Sequence, residues 1–167
     1  SRANGNTVYL TFDDGPSAET TPRVLDLLAT HRARATFFVC GEHVEQQPAL
    51  VARIRNEGHL LGNHTHFHPY LTQISTAAAL AEIERCQKLI EPSRRLFRPT
   101  HGLIGPSLLR QLRARGYEIA YWTLDSRDWS TTPDDILAAR LTKRVQSGDV
   151  ILFHDDQPNS VRILERF

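Results

Sequence analysis

Apolar runs of strand length alternate with helical patterns along the whole chain. Residues 8–12 read as a strand, and residues 18–30, carrying Val24, Leu25, Leu27 and Leu28, as a helix. A buried strand is predicted over 35–39 and a helix over 43–56, after which Gly58 turns the chain into a short strand at 59–61. Residues 75–90 place apolar side chains at helical spacing behind a Ser75/Thr76 cap, and Pro92 lies just past their end. A brief strand at 96–97 precedes a helix over 106–115 that Gly116 stops. The pattern then gives a strand at 117–124 and a helix at 133–146, with Pro133 in its first turn and Asp134 and Asp135 beside it. The last strand is 150–153, and a short helical stretch occupies 161–167.

Such alternation, with strands this apolar, predicts an α/β fold of parallel strands covered by helices, either a barrel or an open sheet. Polar clusters follow the strands with regularity. Asp13 and Asp14, His64 and His68, Arg98, Asp125 and Asp128, and His154 each fall at or just past the carboxyl end of a proposed strand. Folds of this class assemble their sites on that face.

With 167 residues and no repeat or linker, a single domain over 1–167 is expected. Its 20 basic and 19 acidic residues nearly cancel, which argues against nucleic acid or an anionic membrane as partner and for a neutral or mixed substrate. No run reaches the roughly 18 apolar residues of a membrane span, and residues 1–6 hold no apolar signal core. The compartment stays open on these grounds. Cys40 and Cys86 are too few for a disulfide framework and are expected as buried free thiols.

Adjacent carboxylates at Asp13 and Asp14 repel unless something positive separates their roles. A cation on one, with the other free as a base, resolves the conflict. His64 and His68, four residues apart, can meet one cation, and two imidazoles with one carboxylate leave positions open for water and substrate; zinc suits such a set. His66 falls on the other side of that turn, either supporting the site or exposed. Arg98, placed near Asp13, would balance its charge and aim it. Asp125 and Asp128 lie between Trp122 and Trp129, aromatic faces of the kind that pack on sugar rings. An acid such as Asp128 could orient His154 and raise its basicity, fitting it to donate a proton to a leaving group.

These five clusters, in this order, resemble the polysaccharide deacetylase family, also called the NodB-homology domain or carbohydrate esterase family 4. The matching stretches are Thr11-Phe12-Asp13-Asp14-Gly15-Pro16, His64-Thr65-His66-Phe67-His68, Arg98-Pro99-Thr100-His101-Gly102, Asp125-Ser126-Arg127-Asp128-Trp129 and Leu152-Phe153-His154. The resemblance implies a distorted (β/α) barrel with parallel strands, incomplete towards its C-terminus. It also implies metal-dependent hydrolysis of N-acetyl groups on N-acetylglucosamine polymers such as chitin oligomers or peptidoglycan. By the same resemblance Asp13 is the base, His154 the acid, and Asp14, His64 and His68 hold one divalent metal, zinc before cobalt. Arg98 would orient Asp13, and Asp128 would orient His154. Trp122 and Leu152 would receive the acetyl methyl, and the backbone N–H of His101 would face the oxyanion. Asp125 and Trp129 are expected at the substrate.

The family's third motif commonly reads Arg-Pro-Pro-Tyr, so Thr100 and His101 are departures. An acetylated polysaccharide or oligosaccharide is the expected partner, with a monomer and a secreted or cell-envelope setting favoured. Three rival readings stand: an O-acetyl esterase on xylan, a non-catalytic carbohydrate-binding homologue, and, ranked last for want of a phosphate cradle, a metal-dependent phosphohydrolase.

Overall fold

The computed structural model describes residues 7–91 and 93–167, so the segment 1–6 and Pro92 lie outside the described residues. Seven strands form one sheet: β1 (Tyr9–Asp13), β2 (Ala35–Val39), β3 (Leu60–Asn63), β4 (Leu96–Phe97), β5 (Glu118–Ile119), β6 (Leu124–Asp125) and β7 (Val150–His154). Their order across the sheet is β5-β4-β3-β2-β1-β7-β6, and every pairing is parallel. The sheet curls into a half-barrel, as the expected distorted barrel requires. Around it lie α1 (Thr21–Thr30), α2 (Gly41–Gln46), α3 (Pro48–Asn56), α4 (Thr76–Leu89), α5 (Pro106–Ala114), α6 (Asp134–Arg144) and α7 (Pro158–Arg166), with a 3-10 turn at Thr100–Gly102.

Alternation along the central strands divides core from site. On β1, Phe12 packs against Phe37 and Phe153, with ring centroids 5.1 and 5.6 Å away. Burying each such ring contributes about 1.5–3 kcal/mol. Its neighbours Thr11 and Asp13 point the opposite way, as a period of two demands, and both meet the buried Arg98. On β7 the same rule sends Ile151 and Phe153 into the core and leaves Leu152 and His154 at a cavity. A second apolar cluster, around Ile83, Phe97, Leu112 and Tyr117, supports the other end of the sheet.

Two elements differ from the sequence expectation. The helix predicted over 43–56 is two helices, α2 and α3, broken at Gln47. Pro48 opens α3, and the residue before a proline is pushed out of helical geometry; Gln47 sits at φ −128° and ψ 52°. The strand predicted over 117–124 is likewise two, and they lie on opposite edges of the sheet. Ala120 N–H donates to Phe97 at 2.8 Å, where pairing with β4 ends, and Thr123 N–H donates to Val150 at 2.9 Å, where pairing with β7 begins. Tyr121 and Trp122 therefore cross from edge to edge. Continuous apolar and aromatic character hides such a crossing from a pattern-based reading.

Candidate metal centre and active site

In-register strand ends gather the polar clusters. Asp13 is the register partner of His154 on β7, and Asn63, which ends β3, is the partner of Phe97. The next residues continue the ladder: His64 N–H donates to Val39, Arg98 N–H to Asn63 and Asp155 N–H to Asp13, at 3.0, 3.0 and 3.1 Å. Five separate segments thus deliver their side chains to one rim.

Asp14, His64 and His68 converge. Each offers one ligand atom, and these atoms lie within 4.8 Å of one another. Asp14 Oδ1 is 3.3 Å from His64 Nε2 and 3.2 Å from His68 Nε2, and it is buried with no hydrogen bond to satisfy it. An orphaned carboxylate oxygen facing two imidazole nitrogens fits a divalent cation between them. His64 is fixed for that purpose. Its Nδ1–H donates to the Arg98 carbonyl at 2.8 Å, which leaves Nε2 as the free lone pair. Electrostatics agree: burial works to raise the Asp14 carboxyl, but the two histidines hold it well below the usual carboxylate range. Burial likewise opposes charge on His64, yet Asp13 and Asp14 together raise its basicity. The acids call for positive charge here, and a cation can supply it in place of protons.

Two of the three converging residues stand on left-handed backbone, Asp14 at φ 74° and His68 at φ 54°. Such conformations persist where surroundings over-determine them. The Asp14 carbonyl accepts from His43 Nδ1–H at 2.6 Å, and the following N–H, of Gly15, donates to Asp155 Oδ1 at 3.0 Å. Gly15 has no room for a side chain, since a Cβ would lie 2.1 Å from Asp155 Oδ2. Thr65 Oγ1 accepts from His68 N–H at 3.0 Å and shapes the second turn.

Asp13 is held from one side. Arg98 Nη1 donates to Asp13 Oδ1 at 2.7 Å and to Thr11 Oγ1 at 2.9 Å. The guanidinium is fully buried and lies 4.1 Å above the Phe38 ring. Its second nitrogen donates to the Tyr121 carbonyl at 3.1 Å, tying the crossing segment to the base of the site. The other Asp13 oxygen, Oδ2, is left 3.8 Å from His64 Nε2, beside the cation position.

Across the cavity, His154 Nδ1–H donates to Asp128 Oδ1 at 2.8 Å, and His154 N–H donates to Asp128 Oδ2 at 2.7 Å. Burial alone would lower the imidazole. The Asp128 hydrogen bond and charge, with more distant help from Asp14 and Asp13, outweigh it and raise the group to about 9. Nε2 is left for the cavity, carrying a proton at neutral pH.

The cavity between these groups has a volume of about 210 Å³. That is below the roughly 300–1,000 Å³ of pockets that enclose a drug-sized ligand. It suits a small acyl group whose carrier remains outside. Its floor is Asp13, Asp14, His64 and His68; its apolar wall is Trp122 and Leu152, with Pro99 and Gly102; His101 and His154 flank it. Asp125 and Trp129 do not line it. The Asp125 carboxylate accepts from Arg127 N–H at 2.7 Å within its own loop, and Trp129 is 57% exposed.

Three contributors, Ser160, His43 and Asp155, lie beyond the sequence expectation. Ser160 is fully buried and its hydroxyl lies against both Asp128 Oδ2 and the His154 carbonyl. His43 and Asp155 brace Asp14 and Gly15 as described. His66 is completely buried over Gly41, where a Cβ would meet its Nδ1 at 2.2 Å, so it is packing rather than exposed. Of the three, Asp155 alone carried a sequence signal, as the acid directly after His154 where the last strand ends. Burial pushes its carboxyl up to about 7. Cys40 and Cys86 are buried free thiols, as expected.

Comparison with known proteins agrees with this geometry. Residues 1–120 match the family model described as polysaccharide deacetylase. The chain is 37% identical over 155 residues to a chitooligosaccharide deacetylase of Rhizobium leguminosarum bv. trifolii, covering 90% of this chain and 72% of that one. It is 36% identical over 157 residues to a peptidoglycan-N-acetylglucosamine deacetylase of Bacillus cereus, covering 91% and 74%. The solved structure of the peptidoglycan deacetylase PdaC from Bacillus subtilis superposes with a TM-score of 0.91 at 34% identity, over 98% of this chain and 83% of that one. On its fold, its motifs and these likenesses, the chain belongs to the polysaccharide deacetylase family.

Proposed function

We propose that the protein is a metal-dependent deacetylase that removes N-acetyl groups from N-acetylglucosamine-containing oligosaccharide or polysaccharide, releasing acetate and a free amine. The observation that carries this reading is the placement of Asp13 and His154 on either side of a three-ligand cluster, in a cavity sized for an acyl group. Chitooligosaccharide and peptidoglycan deacetylases among the relatives support the substrate class.

Asp14, His64 and His68 would hold the cation, with zinc favoured by two imidazoles and one carboxylate. When bound, it supplies Lewis acidity that acidifies water and polarises the acetyl carbonyl. Asp13 takes the proton of the attacking water, through the oxygen that Arg98 leaves free. The backbone N–H of His101 faces the charge that develops on the carbonyl oxygen. Trp122 and Leu152 receive the methyl group. His154, charged at neutral pH, gives its Nε2 proton to the nitrogen as the C–N bond breaks, since an amine leaves poorly without one.

Acetate release from chitin oligomers, peptidoglycan and acetylxylan, with zinc and with a chelator, tests this function. Zinc-dependent release of equal amounts of acetate and amine from an N-acetylglucosamine substrate is expected. Release from acetylxylan alone would make it an O-acetyl esterase, and glycan binding with no release from any of them would make it a binding module.

A further inference from the structure

The two residues that depart from the family's third motif both reach the same neighbouring turn. Thr100 Oγ1 donates to the Pro69 carbonyl at 2.5 Å, a bond that a proline at position 100 could not make. The His101 imidazole lies flat on the Tyr70 ring, with centroids 3.8 Å apart and planes at 7°. On its other side His101 meets the His68 ring edge-on at 4.6 Å. The turn after β3, which carries His68, is therefore riveted to the turn after β4 by one hydrogen bond and one ring stack.

His101 needs such support. Its backbone is left-handed, at φ 56° and ψ 12°, a conformation that costs a residue bearing a Cβ. Gly102 follows at φ 69°, held close to Trp122. A side chain free in solvent would not hold His101 there, because an exposed turn can relax to right-handed geometry. The partners it does have are Tyr70, itself 49% exposed, and His68.

We propose that Tyr70 and Thr100 are positioning residues that lock His101 in its left-handed conformation and so fix where its backbone N–H and ring stand over the site. This rests on the deacetylase reading only for its catalytic consequence. The structural consequence stands alone. Tyr70 does not line the acyl cavity, and His68 keeps its own support from Thr65 Oγ1, which accepts from its N–H at 3.0 Å, so the loss of Tyr70 acts mainly through His101.

The test uses the zinc-loaded protein with Tyr70→Phe, Tyr70→Ala, Thr100→Ser and Thr100→Val. The intraresidue amide–Hα NOE of His101, which is strong at positive φ because the two protons are then closest, is read by NMR, together with zinc affinity by competition titration and kcat and KM on an N-acetylglucosamine tetramer. Tyr70→Phe and Thr100→Ser should match the wild type in all of them. Tyr70→Ala and Thr100→Val should weaken the His101 NOE toward that of residues at negative φ and lower kcat about ten-fold or more. KM and zinc affinity should stay within about two-fold. An unchanged His101 NOE in Tyr70→Ala and Thr100→Val overturns the proposal, whatever the activity. An NOE that responds in a protein with no wild-type turnover on this substrate upholds the positioning role and removes the deacetylase reading instead.

Discussion

At the scale of single residues, the decisive contrast is between His64 and His154, two imidazoles on one rim to which the proposed mechanism gives opposite tasks. His64 donates its Nδ1–H to a neutral carbonyl, which leaves Nε2 with the lone pair a ligand needs. His154 gives Nδ1–H to the buried Asp128 carboxylate, which favours the charged form and leaves Nε2–H as an acid. Replacement of His154 by alanine should lower acetate release on the order of a hundred-fold or more, with zinc still bound at one equivalent; steady-state kinetics beside metal analysis checks both halves. The pH dependence follows from the same pair. A base whose pKa rises from 6.5 to about 9 on folding contributes stability that is full below pH 6.5 and lost as pH climbs through about 9. At about 1.4 kcal/mol per pH unit this amounts to on the order of 3 kcal/mol. Urea titrations between pH 6 and pH 10 should show that alkaline loss, and Asp128→Asn should largely flatten it. Turnover should share the alkaline limb, displaced to lower pH than in the metal-free protein because a bound cation opposes charge on His154, and displaced further in Asp128→Asn.

At the scale of elements, helix α7 and the β1–α1 turn act as braces. The first turn of α7 carries Ser160 to Asp128 and the His154 carbonyl, while Val161 and Ile163 anchor the helix in the core. Ser160→Ala leaves a buried carboxylate short of one donor and should cost about 1–3 kcal/mol by chemical denaturation. In the β1–α1 turn, Gly15→Ala would press a methyl group into the Asp155 carboxylate, and about 1–3 kcal/mol of destabilisation is expected from that overpacking, with loss of zinc affinity as Asp14 shifts. Of these two braces, only Asp155, directly after His154, left a trace in the chain's pattern. Asp13, Asp14, His64, Arg98 and His154 were legible because each sits at a strand end, and strand ends are local features that alternation marks. Ser160 and His43 occupy ordinary helix first turns, and only the tertiary fold gives them partners. The split of 117–124 into β5 and β6 was hidden for a related reason: aromatic residues suit a strand and a crossing segment alike. Pro48 did offer a local signal for the break between α2 and α3, through its restriction of the residue before it, but the single helix expected over 43–56 passed over it.

At the scale of the whole molecule, the curled parallel sheet turns five distant segments into one constellation by aligning strand ends. The cost is a concentration of like charge: Asp13 and Asp14 share a rim with Asp128, and a single buried guanidinium, Arg98, answers only the first. A bound cation should therefore stabilise the fold as well as serve the chemistry. Added zinc should raise the melting temperature in proportion to the logarithm of its concentration above the dissociation constant, and a chelator should reverse the rise. The most direct test of the central claim, that three side chains grip one divalent cation, is zinc content after equilibrium dialysis, measured on the wild type beside Asp14→Asn, His68→Ala and His154→Ala. One equivalent in the wild type and in His154→Ala, with under a tenth of an equivalent in the other two, is the predicted result; a full equivalent retained by Asp14→Asn or His68→Ala would contradict it.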